Sequence, residues 1–184
     1  GLDENQLVRL ARVIEGARKR GASLAPLAPF KLGVLSNATT DFVIPALVAS
    51  TARHGIALEC VVGDFGQTIQ EALSVESRIN RAKPDAVLVA IDWRGLPLRA
   101  PLGEASAAEL AIATSLGHLA AIRNGIRTNC GAPCIVQTVA RPPETSFGNM
   151  DLAVPGTPRR IVDSLNRGIA DSIAGTPDML FDVA

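Results

Sequence analysis

Ser36 stands directly after Lys31-Leu-Gly-Val-Leu35, a short apolar run with the composition of a strand. A hydroxyl on a strand-to-loop turn is where a nucleophile would stand, with neighbouring backbone N–H groups able to form an oxyanion hole. Ser36 and Asn37 are equally suited to capping the turn that follows, and both roles stay open at this level. Asp92 closes a second apolar run, where a carboxylate must reach solvent or find a partner. Arg94, two residues on, is either that partner or a clamp for an anionic ligand. Trp93, the only tryptophan, either packs under the end of the sheet or lines a pocket. His54 and His118 fall at the end of and within expected helices, so both read as structural or surface residues rather than a catalytic base.

The elements that position these residues alternate. Asn5 to Lys19 carries Leu7, Leu10, Val13 and Ile14 at near-helical spacing with arginines and Lys19 between them, an amphipathic leader helix. Residues 21–29, with two prolines, read as a linker, so the chain divides into a leader of residues 1–30 and an α/β domain of residues 31–184. In that domain, strands are expected at 31–35, 56–62, 86–91 and 134–139, with an edge strand at 179–182. Helices are expected near 42–53, 69–81, 106–124 and from Pro158, with Thr157 as N-cap. The Ala86 to Ile91 run is continuously apolar, as a buried parallel strand should be. The expected fold is therefore a three-layer α/β/α domain with about five parallel strands, flavodoxin-like or SGNH-hydrolase-like. Ligands of such sheets bind outside the carboxyl ends of the strands. That rule selects Ser36, Asn37 and Thr39, then Asp64 to Gln67, then Asp92 to Arg94, and the loop from Arg141 to Asn149.

Composition removes several classes of function. Lys plus Arg equals Asp plus Glu at 18 each, so no global field recruits nucleic acid or anionic membrane. The first residues lack a signal-peptide pattern, and no run of about 18 apolar residues is evident; a cytoplasmic chain without a membrane partner is expected. There is no G-x-x-x-x-G-K-[ST], G-x-G-x-x-G, cobalamin D-x-H-x-x-G or G-x-S-x-G element. No cofactor or metal is expected in this domain. Cys60, Cys130 and Cys134 match no common zinc or redox spacing; Cys60 reads as a small core hydrophobe, and Cys130 and Cys134 could form a disulfide or metal pair, though no second pair lies near them in sequence.

Taken together, Leu35-Ser-Asn-Ala-Thr39, Phe65-Gly-Gln67 with Gln70 and Ser77, Pro84-Asp85, Phe147-Gly-Asn149 and Leu165-Asn166 carry a resemblance. In order and spacing, from Lys31 to Asp182, they resemble the N-terminal domain of FkbH-like proteins. That resemblance implies an SGNH (GDSL-type) hydrolase-like fold joined to a C-terminal domain of the haloacid dehalogenase (HAD) superfamily, subfamily IIIC. It also implies a transferase setting in polyketide biosynthesis, where a glyceryl unit from a phosphorylated glycerate passes to an acyl carrier protein. The aspartate motif D-x-D of the HAD domain is absent, so on this resemblance the chain would be the first module alone.

In the hydrolase pattern Ser36 takes the position of the nucleophile, preceded by Leu35 rather than Gly-Asp, and Gly66 that of the glycine donating an oxyanion N–H. Asp92 lies where the pattern has an asparagine, and a carboxylate there would repel an oxyanion. Asp182 matches the last-block aspartate, but the histidine three residues later would fall beyond Ala184. Asn37, Thr39, Arg94 and Asn149 complete the candidate substrate-binding set. Three roles remain open: an acyl or ester transferase acting through Ser36, a non-catalytic module holding a carrier protein's acyl-phosphopantetheine arm, and a structural domain forming a homodimer through the leader helix.

Overall fold

A computed structural model describes residues 3–143 and 145–184. Five strands, β1 (Ala28–Ser36), β2 (Ile56–Val62), β3 (Ala86–Ala90), β4 (Cys134–Gln137) and β5 (Met179–Phe181), form one sheet in the order β2-β1-β3-β4-β5. Every pairing is parallel. This is the doubly wound flavodoxin-like order, whose strand sequence reverses between β1 and β3. Ser36 pairs with Ala90, so the ends of those two strands lie side by side at the reversal.

Right-handed crossovers dictate which face each helix covers. The β1-to-β2 crossover, α2 (Val43–Ala52), lies on one face; α3 (Thr68–Leu73), α4 (Arg78–Ala82), α5 (Ala105–Cys130) and α6 (Pro158–Ile173) lie on the other. A single crossover helix cannot cover its face. The leader α1 (Glu4–Lys19) completes that layer: Ala11 and Ile14 are buried with Val48 and Ala49 of α2 and Leu32 and Val34 of β1. Arg18 of α1 donates to the Leu58 carbonyl of β2 at 2.9 Å. Leu7, Leu10 and Ile14 of the α1 stripe are thus used within the chain while Val13 stays exposed, and β1 begins at Ala28, inside the stretch expected to be linker. Pro29 is tolerated because Ala28 to Phe30 pair with β2 alone, β3 joining only from Leu32.

Other features also differ from expectation, and β4 stops at Gln137 rather than Val139. The helix expected over 69–81 is two helices, because Asn80 Nδ2 donates to the carbonyls of Glu71, Ala72 and Ser74 and ends α3, while the Ser77 hydroxyl caps α4. α5 runs six residues past Asn124 and stops at Gly131, whose φ is 75°. Gly125 does not end it, since a Cβ there would lie 2.8 Å from the Ala72 carbonyl oxygen; glycine lets α5 approach α3. Thr157 occupies the N-cap position of α6 without capping it: its hydroxyl donates to the carbonyls of Asp151 and Val154.

An 18-residue window of α5 has a mean hydropathy of 1.3, which by length and composition alone suffices to cross a bilayer, contrary to the sequence reading. In the fold α5 packs one face against the core, with Ser115, Leu119, Ile122 and Ile126 buried and Arg123 paired with Asp178, while Leu110 is exposed. The three cysteines are free. Burial pushes the thiol pKa up to about 11 at Cys60 and about 12 at Cys134, as suits structural thiols.

Candidate functional site

Ser36 ends β1 with 9% of its surface exposed. Its Oγ accepts the backbone N–H of Ala38 at 3.0 Å, a local turn-capping bond. The Gly66 N–H, the expected oxyanion donor, is directed at the Ser36 carbonyl oxygen at 3.4 Å. No hydrogen bond joins Ser36 to a histidine among the described residues, and His54 lies just before β2, at the amino end of the strands, opposite the end where Ser36 stands. Asp182 is two strands away from β3, past β5, where its carboxylate accepts the Thr138 hydroxyl at 2.9 Å.

Asn37 and Asp92 clasp the strand reversal. Asn37 Nδ2 donates to Asp92 Oδ1 at 2.6 Å, and the Asp92 N–H returns to Asn37 Oδ1 at 2.9 Å. Gly95 makes room for this pair, since a Cβ there would sit 2.8 Å from the Asn37 side chain. Asp92 also receives the Arg94 N–H at 2.8 Å and its guanidinium at 3.2 Å. Burial pushes the Asp92 pKa up, but the bonds from Asn37, Arg94 and the Gly95 N–H outweigh it and hold the carboxyl below its ordinary value. The negative charge at the expected asparagine position is therefore stabilised by these partners. Arg94 stacks over the Trp93 ring, 4.6 Å from its centroid.

From Trp93 a cleft of about 800 Å³ opens along the carboxyl side of β3 and β4. Residues 93–102 form one wall, Pro142 and Ser146 of the long loop another, and Ile161 and Val162 of α6 the floor. Its two loops are joined: the Gly103 N–H donates to the Pro155 carbonyl at 2.8 Å, and Gly156, at φ 80°, packs against Pro101. Asp151 orders the long loop by accepting the N–H groups of Phe147 at 2.6 Å and Ser146 at 3.2 Å.

Of the candidate residues, Arg94 lines this cleft with Trp93, and Asn37 and Asp92 hold the turn beside it. Ser36 and Gly66 belong to the neighbouring β1–β2 end. Thr39 is exposed on the loop to α2, and Asn149 is exposed in the turn Gly148–Met150; neither lines the cleft. The wall of Leu96, Leu98, Arg99 and Leu102 was missed. Its signal was present: three leucines and two arginines interleaved with two prolines are too apolar for a plain surface turn. Two motif residues of the resemblance are structural here. Asp85 accepts the Lys31 N–H at 2.7 Å, joining the middle of β1 to the start of β3, and Asn166 brackets Val139 through its N–H and carbonyl at 2.8 and 2.9 Å.

Fold and cleft define a flavodoxin-like α/β domain with an amphipathic cleft at the carboxyl edge of its sheet. No family model matches the chain, and no curated protein does. Among solved structures, the fold is shared with the N-terminal part of the protein BF1531 from Bacteroides fragilis, containing a phosphatase domain and complexed with Mg. The TM-score is 0.79 at 12% identity, over 100% of this chain and 46% of that one. The chain thus spans less than half the length of that structure.

Proposed function

We propose that this domain is the SGNH-like module of an FkbH-like protein, holding an acyl or glyceryl group for transfer to an acyl carrier protein without a serine nucleophile of its own. The observation that carries this reading is the state of Ser36. Its hydroxyl is engaged by the Ala38 N–H, while the cleft able to take a chain-like group opens beside Trp93 and Arg94. A nucleophilic serine needs a base within hydrogen-bond reach and free oxyanion donors. Ser36 has a capping bond, and the Gly66 N–H is directed at a backbone carbonyl.

The motif series from Leu35 to Asn166 supports the FkbH-like setting. So does a solved structure in which an N-terminal part with this fold contains a phosphatase domain, as expected where a HAD-like domain follows. On this reading the partners are an acyl carrier protein, through its acyl-phosphopantetheine arm, and a HAD-like domain of the same protein. The setting is cytoplasmic, and this domain contributes no cofactor.

A fluorophosphonate probe tests the absence of a nucleophile. Wild-type chain and Ser36→Ala are expected to show the same background labelling. Labelling of the wild type that the substitution abolishes would restore the serine-transferase reading.

A further inference from the structure

The cleft assigned above to the held group has a charge pattern that its apolar walls do not explain. Leu98 and Leu102 offer hydrocarbon above the buried Ile161 and Val162, and Arg94 and Arg99 both line the same cleft. No Asp or Glu lines it among the described residues, and Glu144, on the long loop, lies outside them. Among the described residues Arg94 has one carboxylate partner, Asp92, at 3.2 Å, and Arg99 has no ion pair.

Asp92 does not depend on the Arg94 side chain. Its Oδ1 keeps the Asn37 amide and the Arg94 backbone N–H, so the guanidinium can turn to a ligand without stranding the carboxylate. A further positive element borders the cleft. The 16-residue α6 begins at Pro158, a lining residue, with the Thr157 hydroxyl turned away to the Asp151 and Val154 carbonyls. Its positive end therefore lacks a side-chain cap.

We propose that the cleft binds a phosphate group borne on an apolar or acyl chain, the phosphate between Arg94 and Arg99 near the start of α6 and the chain along Leu98 and Leu102 above Ile161 and Val162. Guanidinium forks match phosphate oxygens with paired hydrogen bonds, and a cleft of about 800 Å³ accommodates such a ligand. The inference rests on the reading that this cleft is the group-holding site. It names the chemistry that site recognises, whether the phosphate is that of a carrier protein's arm or of a free phosphorylated metabolite.

Trp93, the only tryptophan, supplies the readout. Its fluorescence is followed during titration with octyl phosphate or octanol, for wild type, Arg94→Gln and Arg99→Gln, with far-UV circular dichroism to confirm folding. Octyl phosphate is expected to bind about tenfold more tightly than octanol, and each substitution to remove most of that advantage. Equal affinity for the two probes, no binding of octyl phosphate, or an advantage unchanged in both variants would overturn the proposal. Acylated carrier protein forms a separate arm. If Arg99→Gln weakens both ligands, the carrier's arm is the phosphate source; if it weakens octyl phosphate alone, a free phosphorylated chain is. Octyl phosphate binding with no response to the carrier would leave the phosphate site standing and remove the carrier-protein reading.

Discussion

Asp178→Ala is expected to cost about 3–5 kcal/mol of folding stability, measured by urea denaturation at neutral pH. The Asp178 side chain is 1% exposed and receives Arg123 Nε at 2.7 Å, Arg127 at 2.9 Å and the Cys134 N–H at 2.9 Å. One carboxylate thus ties α5 to the start of β4 and the approach to β5. Removing it leaves Arg123, with a side chain 9% exposed, deprived of its counter-charge. Arg123 keeps only Ser172 and a weak contact with Thr176. The double variant Asp178→Ala/Arg123→Met is expected to recover part of the loss, because an apolar pair no longer strands a buried cation.

The same carboxylate sets an acid limit. Burial pushes the Asp178 pKa up, but the Cys134 N–H and the bond and charge of Arg123, with the charge of Arg127, outweigh it and hold the pKa below its ordinary value. A group depressed in the folded state contributes stability above its unfolded pKa, about 3.9, and that contribution is lost as pH falls toward the folded value. Wild-type stability should therefore fall below about pH 4, and the Asp178→Ala variant should lack that component. Identical acid-unfolding profiles would show that this ion pair does not carry the effect.

Gly156→Val is expected to damage the fold and the cleft together. Gly156 holds φ 80°, a region that a β-branched residue enters at a cost of about 1–3 kcal/mol. An added Cβ would also strike the Pro101 carbonyl, against which the two cleft loops are packed. Overpacking adds about 1–3 kcal/mol. A lowered Tm and a weakened Trp93 response to octyl phosphate are expected together. A stable variant with unchanged binding would mean that the 93–102 wall does not depend on the long loop.

Much of the fold was legible because its signals are local. β2 follows its apolar run from Ile56 to Val62, β3 follows the Ala86 to Ala90 run, and α6 follows four-residue steps from Ile161 to Ile173. The misread features depend on partners distant in sequence. Gly125 is a stop signal by residue type, but its lack of a side chain serves the contact with Ala72. Asn80 ends α3 only because the backbone carbonyls of residues 71, 72 and 74 converge on its amide.

The candidate site divides in the same way. The rule of carboxyl ends selected Asn37, Asp92 and Arg94, and the strand reversal does bring them together. It did not select Arg99, Ile161 or Val162. Their meeting depends on the packing of Gly156 on Pro101, a contact between segments more than fifty residues apart that no periodicity encodes. Ser36 was legible as a strand-end serine, but whether its hydroxyl faces a substrate or caps a turn depends on backbone geometry after the strand.

The most direct test of the group-holding role is chemical-shift mapping of the ¹⁵N-labelled chain during titration with an acylated acyl carrier protein and with the same carrier lacking its arm. The acylated form is expected to perturb Trp93, Arg94, Leu98 and the start of α6, and the armless form to leave them unmoved. Equal shifts with both forms, or shifts confined to α1, would contradict the assignment of the cleft to the carrier's acyl group.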